Sequence, residues 1–142
     1  MPVDLEIVSP DKLLLSRPVE MVVLPAYEGD MGVLPGHAPM IVLLRGGTIR
    51  LYENDEVIES LFVSGGFAEV TPERVTILAT EAIPVATVSL AEGDRRLAAA
   101  EAEYAAAVAA YDAAGKTDIA GLDAAMDRIQ SARAMVESAP AA

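Results

Sequence analysis

Apolar and polar residues alternate with a period of two at the start of the chain. Val3, Leu5 and Ile7 are separated by Asp4 and Glu6. This spacing places the apolar side chains on one face of a β-strand. Further short apolar runs, punctuated by glycines and turn residues, occupy residues 19–24, 40–44, 48–52, 57–63, 67–70 and 75–79. Because no helical pattern separates these runs, they predict a β-sandwich or flattened barrel of short antiparallel strands.

The composition changes abruptly after Pro84, because 21 of the 26 alanines follow Val85. Ser89 and Glu92 have the spacing of a capping box, which predicts that a helix begins there and runs to about residue 114. The segment 115–118 offers a glycine to end this helix and Thr117 or Asp118 to cap a second one. The sequence therefore predicts an antiparallel α-helical hairpin at residues 87–142, after a β-domain at residues 1–86.

Each predicted helix carries one narrow row of large apolar residues. The first row repeats every seven residues, and Arg133 interrupts the second. The rows are Leu90, Leu97, Tyr104 and Tyr111 in the first helix and Ile119, Leu122, Met126, Ile129 and Val136 in the second. Such rows predict that the helices pack along them. Since alanine buries little apolar surface, we expect the hairpin to be weakly held and able to change its packing.

The net charge of −12 restricts the classes of partner. Nucleic-acid binding needs clustered Lys and Arg, and an acidic protein is repelled by anionic lipid, so neither contact is expected. No apolar run reaches the roughly 18 residues that span a bilayer, so we expect no direct membrane insertion. The first residues lack the pattern of a signal peptide, and the absence of cysteine is compatible with a reducing compartment.

The residues that could support catalysis are few. His37 is the single histidine, and no cysteine is available as a nucleophile or metal ligand. Ser64 lies before Gly65-Gly66 between two predicted strands, which differs from the strand-turn-helix arrangement of a nucleophilic serine. The sequence therefore predicts no catalytic site, no metal site and no cofactor.

Two segments together are distinctive. Residues 28–39 read EGDMGVLPGHAP, which resembles the EGxxGxxPGHAP signature of the ε subunit of bacterial F-type ATP synthases. Residues 62–70 resemble a second signature of that family and are followed by a predicted strand at 75–79. The resemblance covers residues 3–85, whereas over the hairpin it lies in the architecture.

This resemblance implies a non-catalytic rotor subunit of the central stalk. The β-domain would bind the γ subunit and stand on the ring of c subunits, which helps to couple proton flow to ATP synthesis. The ring side would include a short loop from Glu28 to Met31 and residues near it. Asp30 holds the position at which family members carry an acidic ring contact. The full set implied for the ring side is Glu28, Asp30, Met31, Gly32, His37 and Ala38.

Ser64, Gly65 and Gly66 are candidates for contact with γ, although a buried turn explains them equally well. The implied location is the cytoplasmic face of the bacterial inner membrane, as a peripheral protein held by its partners.

The resemblance also leaves an alternative for the hairpin, namely an ATP-sensing module that inhibits ATP hydrolysis. In the family the hairpin can contact the α and β subunits of the catalytic head, and some members bind ATP at the start of the first helix. This chain has acidic Glu92 or Asp94 where the motif needs arginine. Arg95 and Arg128 are the remaining candidates for contact with ATP. Five basic residues face nine acidic ones after Val88, so we expect weak inhibition.

Overall fold

The described part of the chain forms ten β-strands followed by two long helices. The computed structural model describes residues 2–116 and 119–140. The strands are β1 Val3–Val8, β2 Leu13–Val19, β3 Met21–Ala26, β4 Gly29–Val33, β5 Met40–Leu44, β6 Gly47–Glu53, β7 Glu56–Val63, β8 Gly66–Val70, β9 Arg74–Ala79 and β10 Ala82–Pro84. A 3-10 turn, Val85–Thr87, leads into α1, Leu90–Ala113, and α2 is Ile119–Ser138. The predicted β-sandwich followed by a helical hairpin is confirmed.

The strands form one sheet that folds over to enclose the core. Their order is β10-β7-β6-β3-β5-β8-β9-β1-β2, and β4 pairs with β3 off this path. All these pairs are antiparallel except β1 with β9, which is parallel. The expectation of purely antiparallel strands is therefore wrong at this position. A parallel pair needs a long connection, and here that connection is most of the β-domain, which separates β1 from β9 in the sequence.

The core lies between the two halves of this folded sheet and follows the predicted alternation. Val3, Leu5 and Ile7 of β1 are each 0% exposed, as the period of two predicts. The turn that joins β6 to β7 lies at Asn54 and Asp55, whose φ angles are 53° and 63°. Asparagine and aspartate tolerate this left-handed conformation better than most residues, which explains why they occupy a two-residue turn.

Residues 29–33 form a strand, so the expected loop from Glu28 to Met31 is corrected to a turn followed by β4. Val33 pairs with Val22 of β3 and is fully buried, while Met31 packs against the core. Because side chains alternate along a strand, Asp30 and Gly32 lie on the opposite, outer face. The glycines of this segment obscured the alternation in the sequence.

The first helix begins as predicted. The Ser89 side chain accepts a hydrogen bond from the backbone N–H of Glu92 at 3.1 Å, which satisfies a free donor of the first turn. The helix ends at Ala113, near the expected residue 114. The predicted cap of the second helix, Thr117 or Asp118, lies outside the described residues.

The most deeply buried residues of the two helices are mostly small ones rather than the predicted large ones. Gly93 and Ala100 are buried in α1, whereas Leu90 is 42% exposed. In α2 the buried residues are Ala125, Ala132 and Met135. The seven-residue period is therefore correct but belongs to a row displaced by three residues. Small side chains let two helix axes approach closely. A Cβ at Gly93 would lie 3.0 Å from the Val136 Cγ2, so one residue of the predicted α2 row does face α1.

The hairpin docks on the outer face of β6 and β7. Phe62 points outward from β7 and is 0% exposed, because Met135 of α2 and Val88 cover it. None of the helices in the described part of the chain is both long and apolar enough to cross a membrane.

Candidate functional site

A row of apolar side chains crosses the outer face of five neighbouring strands. Leu43 of β5 pairs with Phe67 of β8, and Phe67 pairs with Leu78 of β9. Leu78 is the partner of Val8 in β1, which in turn pairs with Leu13 of β2. Cross-strand partners lie side by side on one face, so these five residues form a continuous strip, named here the apolar row.

The apolar row is open to solvent. Leu43 and Leu13 are each 57% exposed, Phe67 is 49% exposed and Leu78 is 45% exposed, while Val8 is half-buried. Ile41, on the same face of β5, is 78% exposed and widens the strip at one end. Contiguous exposed apolar surface of this kind is typical of an interaction site.

The sequence contained a signal for this face. Residues 40–44 read MIVLL, which is apolar on both faces of a strand. A strand with only one buried face alternates apolar and polar residues, whereas an uninterrupted apolar run indicates contacts on both faces. Which strands lie beside β5 depends on pairings between distant segments, so the strip itself could not be read from the sequence.

The residues predicted for the ring side lie along β4 and the segments flanking it. Glu28 is exposed in the turn before β4, and Asp30 and Gly32 are on the outer face of the strand. Met31 packs against the core, so its side chain is a poor candidate for contact with a partner. Within the described residues β4 pairs with β3 alone, which leaves its other edge open.

Asp30 is paired with an arginine of strand β6. The Arg50 guanidinium donates to the Asp30 carboxylate at 3.2 Å, and the Asp30 side chain remains 50% exposed. Burial acts to lower the pKa of Arg50, but hydrogen bonds with Tyr52 and Asp30 outweigh it and raise that pKa. Asp30 therefore keeps a half-exposed carboxylate whose position is fixed from one side.

His37 and Ala38 lie on the loop that connects β4 to β5. The His37 ring nitrogen Nδ1 is 2.8 Å from the Ala38 carbonyl oxygen, so Nδ1 is the donor in this contact. The loop is tied to the β8–β9 turn because the Gly36 N–H donates to the Pro72 carbonyl at 2.8 Å. The structure thus places the predicted ring-side residues on a turn, a strand and a loop rather than in one compact site.

Ser64, Gly65 and Gly66 form the turn from β7 to β8. A side chain at Gly66 would overlap the carbonyl oxygen of Leu78, and the φ of 139° at Gly66 also disfavours any other residue. The Ser64 and Thr80 hydroxyls are 3.2 Å apart. The glycines are therefore explained by local packing, and their contact with a partner stays a prediction, although Phe67 of the apolar row follows directly.

The hairpin is fastened to the β-domain by a backbone contact. The Gly46 N–H donates to the Gln130 side-chain oxygen at 3.0 Å, and the Gln130 amide donates to the Gly46 carbonyl at 2.6 Å. A Cβ at Gly46 would lie 2.5 Å from the Ser131 Cα, so only glycine permits this approach. On the same helix Asp127 faces Tyr27, and burial followed by a hydrogen bond with Asp127 raises the Tyr27 pKa.

Two clefts lie beside α2. The smaller, of about 540 Å³, is lined by Arg96 and by Arg128, one of the two residues considered for ATP. Arg128 forms an ion pair with Glu103, and Arg96 forms one with Glu81. The other candidate for ATP, Arg95, is absent from the lining and pairs with Glu92, whose pKa it lowers by hydrogen bonding.

The larger cleft, of about 760 Å³, opens between the β-domain and the hairpin near Gly46. Residues from three strands and both helices line it, among them Arg45, Arg133 and Tyr104. Within the described residues, no group of three or more His, Asp or Glu side chains is placed to hold a metal ion in either cleft or elsewhere.

Comparison with known proteins first defines the class of the β-domain. Residues 2–85 match the family model described as the ATP synthase, Delta/Epsilon chain, beta-sandwich domain. The ATP synthase epsilon chain of Granulibacter bethesdensis is 64% identical over 135 residues, which are 95% of each chain. That of Gluconacetobacter diazotrophicus is 44% identical over 139 residues, or 98% of this chain and 94% of the other.

The chain therefore belongs to the ATP synthase epsilon chain family, and the resemblance read from the two signatures is confirmed. Solved structures share its fold. A chain of the Euglena gracilis mitochondrial ATP synthase has a TM-score of 0.72 at 24% identity, with 96% of this chain and 81% of that chain covered. A chain of the Tetrahymena thermophila mitochondrial central stalk and c-ring structure has a TM-score of 0.61 at 14% identity, with 99% and 98% covered.

Proposed function

We propose that this chain is a non-catalytic rotor subunit of the F-type ATP synthase central stalk. It links the γ subunit to the c-ring and so couples proton translocation to ATP synthesis. Membership of the epsilon chain family supports this role. The observation that carries the proposal is the apolar row, because a continuous strip of apolar side chains on adjacent strands suits a lasting contact with another subunit.

The apolar row is the surface proposed for γ. Within the row, Phe67 has large apolar neighbours on both adjacent strands, which is the arrangement typical of the buried middle of an interface. This assignment places the γ contact beside Ser64–Gly66 rather than on those residues themselves, and it leaves them the task of turning the chain into β8.

The open edge of β4 is the surface proposed for the c-ring. Asp30 keeps half of its side chain exposed while Arg50 restricts its motion, so little side-chain entropy is lost when a partner binds it. Glu28, Gly32, His37 and Ala38 extend this surface on either side. A subunit held in this way is a peripheral protein on the cytoplasmic face of the bacterial inner membrane.

The proposal for γ is tested by purifying the assembled complex with Phe67→Ser and with Val57→Ser. Val57 is a matched control, because it is 46% exposed and lies at the tip of β7, away from the apolar row. We expect Phe67→Ser to reduce the amount of this chain that co-purifies with γ and Val57→Ser to leave it unchanged. Equal retention of both variants would contradict the assignment of this face.

The proposal for the ring is tested with Asp30→Lys in ATP-driven proton pumping by membrane vesicles. We expect reduced pumping, and a smaller reduction in Arg50→Gln, which frees the Asp30 carboxylate but keeps its charge. If Arg50→Gln pumped as poorly as Asp30→Lys, the ion pair itself rather than a contact with the ring would explain the loss.

The hairpin is proposed to inhibit ATP hydrolysis weakly. Its acidic surplus is unsuited to gripping acidic segments of the catalytic head. The alternative role of ATP sensing is disfavoured because Arg95 and Arg128 are both engaged by carboxylates. A several-fold rise in ATPase activity of the assembled complex on deleting the hairpin would contradict weak inhibition, and submillimolar binding of ATP in the smaller cleft would restore the alternative.

A further inference from the structure

The ion pairs of the described residues differ in what they join. Some connect strands of the β-domain, and others lie within the hairpin. Among the described residues, a single ion pair joins the hairpin to the β-domain, and it is formed by Arg96 of α1 and Glu81. Glu81 lies between β9 and β10, 15 residues before Arg96. This ion pair therefore spans the segment through which the hairpin is attached to the sandwich.

Arg96 contacts two carboxylates at once. Its two terminal nitrogens donate to the two carboxylate oxygens of Glu81, one of them at 3.2 Å, and its Nε donates to Glu92 at 2.9 Å. Such bidentate pairing is among the stronger polar contacts in proteins, because two parallel hydrogen bonds join opposite charges. The side chains of Arg96, Glu81 and Glu92 are 36%, 29% and 29% exposed, so dissolved ions can screen both pairs.

The two carboxylates respond differently to a movement of the hairpin. Glu92 lies four residues before Arg96 on α1, so this pair moves with the helix and persists wherever the helix lies. Glu81 belongs to the β-domain, and its contact with Arg96 exists only while the start of α1 keeps its docked position. Separation therefore breaks one ion pair and leaves Arg96 compensated by Glu92, which keeps the cost of separation small.

The contacts of α2 with the β-domain are of a different kind. The paired hydrogen bonds between Gly46 and Gln130 join neutral groups, and Met135 packs on Phe62 without any charge. Dissolved salt screens the attraction between opposite charges, whereas apolar contacts are maintained or strengthened by it. The start of α1 and the docked face of α2 are therefore held by contacts that differ in their sensitivity to ionic strength.

We propose that the ion pair between Glu81 and Arg96 is a salt-sensitive clasp that holds the start of α1 on the β-domain. In dilute salt the clasp keeps this end of the hairpin closed. As the ionic strength rises, residues 89–99 separate first, while the contact between Gly46 and Gln130 still retains α2. This inference goes beyond the proposed rotor function. Failure of one leaves the other unaffected, since neither Glu81 nor Arg96 belongs to the apolar row or to the edge of β4.

The test is hydrogen exchange of the full chain, resolved by residue, at about 0.02 M and about 1 M NaCl. We expect the amides of residues 94–99 to exchange about fivefold faster at the higher salt, the upper end of what a half-exposed ion pair contributes. Amides of the sandwich are the internal reference for effects of salt on the exchange chemistry. Those of α2 around Gln130 should keep their rates, because their contacts are neutral.

Glu81→Gln is the informative variant, because it removes the clasp and keeps the pair between Arg96 and Glu92. It should exchange about fivefold faster at residues 94–99 in dilute salt and should lose the salt response. In a chain of net charge −12, removal of a carboxylate relieves general repulsion, which would slow exchange, so the expected sign is specific to the clasp. Arg95→Gln is the matched control, since Arg95 pairs with the same Glu92 and should leave the salt response in place.

A double-substitution cycle shows whether Glu81 and Arg96 act together. Arg96→Gln should accelerate exchange, and the variant with both substitutions should be no faster than Arg96→Gln alone, because the contact is already lost. The proposal would be overturned by effects that multiply in the double variant, or by a full salt response in Glu81→Gln. Loss of the salt response in Arg95→Gln would also overturn it, because the response would then arise within the helix.

Discussion

Gly46→Ala should release the hairpin from the β-domain without unfolding the sandwich. The added Cβ would lie 2.5 Å from the Ser131 Cα and 2.7 Å from the Ser131 Cβ. Carbon atoms in contact are normally about 3.5–4.0 Å apart. The first of these neighbours is backbone, so no side-chain rotation relieves the overlap, and α2 must move away by about 1 Å.

The expected magnitude follows from the contacts that this displacement breaks. The two hydrogen bonds between Gly46 and Gln130 measure 3.0 and 2.6 Å, so a shift of that size weakens or breaks both. At about 1 kcal/mol each, their loss destabilises docking by about 2 kcal/mol. This value corresponds to a roughly 30-fold increase in the undocked population, since about 1.4 kcal/mol is a factor of ten.

Hydrogen exchange resolved by segment is the appropriate assay. We expect amides of α2 to exchange roughly 30-fold faster in Gly46→Ala, while residues 3–79 keep native rates. Gly32→Ala is the matched control, because a Cβ there meets only the Met21 sulfur at an ordinary 3.7 Å. A change below about threefold in α2 would refute the reasoning, as would equal acceleration in the sandwich.

Three further predictions concern the hairpin. Met135→Ala should lower the free energy of docking of the hairpin by about 2–4 kcal/mol, because Met135 is 2% exposed, and should accelerate hydrogen exchange in α2. An equal fall in the urea midpoint of the sandwich would show that the substitution acts on the β-domain instead. Ser89→Ala should remove about 1 kcal/mol from the start of α1, seen as faster exchange in its first turn and contradicted by unchanged rates. Because the pKa of Tyr27 is raised in the folded chain, its contribution to stability is complete below pH 10 and is lost as the pH rises through the folded pKa. A spectrophotometric titration should lose a late-ionising phenol in Tyr27→Phe, and that phenol should ionise earlier in Asp127→Asn; an unchanged titration in Asp127→Asn would exclude the contact.

Much of the sandwich could be predicted because its strands alternate clearly. Strands β2 and β4 were not predicted, and the reason in each case is local. Strand β2 reads LLLSRPV, with three leucines at 13–15 followed by Ser16, Arg17 and Pro18, so no period of two is visible. The proline is tolerated because β2 is an edge strand, where it removes no necessary hydrogen bond. In β4 two glycines hide the alternation that Met31 and Val33 follow.

The seam of the hairpin shows a different limit. Sequence reasoning ranks residues by the surface they can bury, which favoured the row from Leu90 to Tyr111. The structure instead buries Gly93 and Ala100 most deeply, because two helices approach most closely where the side chains between them are small. Periodicity alone fixes the spacing of such a seam and leaves open which of two neighbouring rows forms it.

The candidate sites were the least accessible from sequence, since they depend on distant pairings. Asp30 was identified through the signature, but its ion pair with Arg50 requires that β3 lie between β4 and β6. Arg45 and Arg133 are 88 residues apart in the sequence, and both line the larger cleft only because α2 docks on the β-domain.

The burial of Phe62 has a practical consequence for any study of the isolated β-domain. This side chain points away from the core of the sandwich, and Met135 and Val88 are what separate it from water. A shortened chain that ends before α1 keeps Val88 but loses Met135, so it exposes part of Phe62 on the face of β7 and invites self-association. Replacing Phe62 with a polar residue in the truncated protein should keep it monomeric. A loss of activity on truncation can be attributed to regulation only if the truncated protein with the polar residue at position 62 shows the same loss.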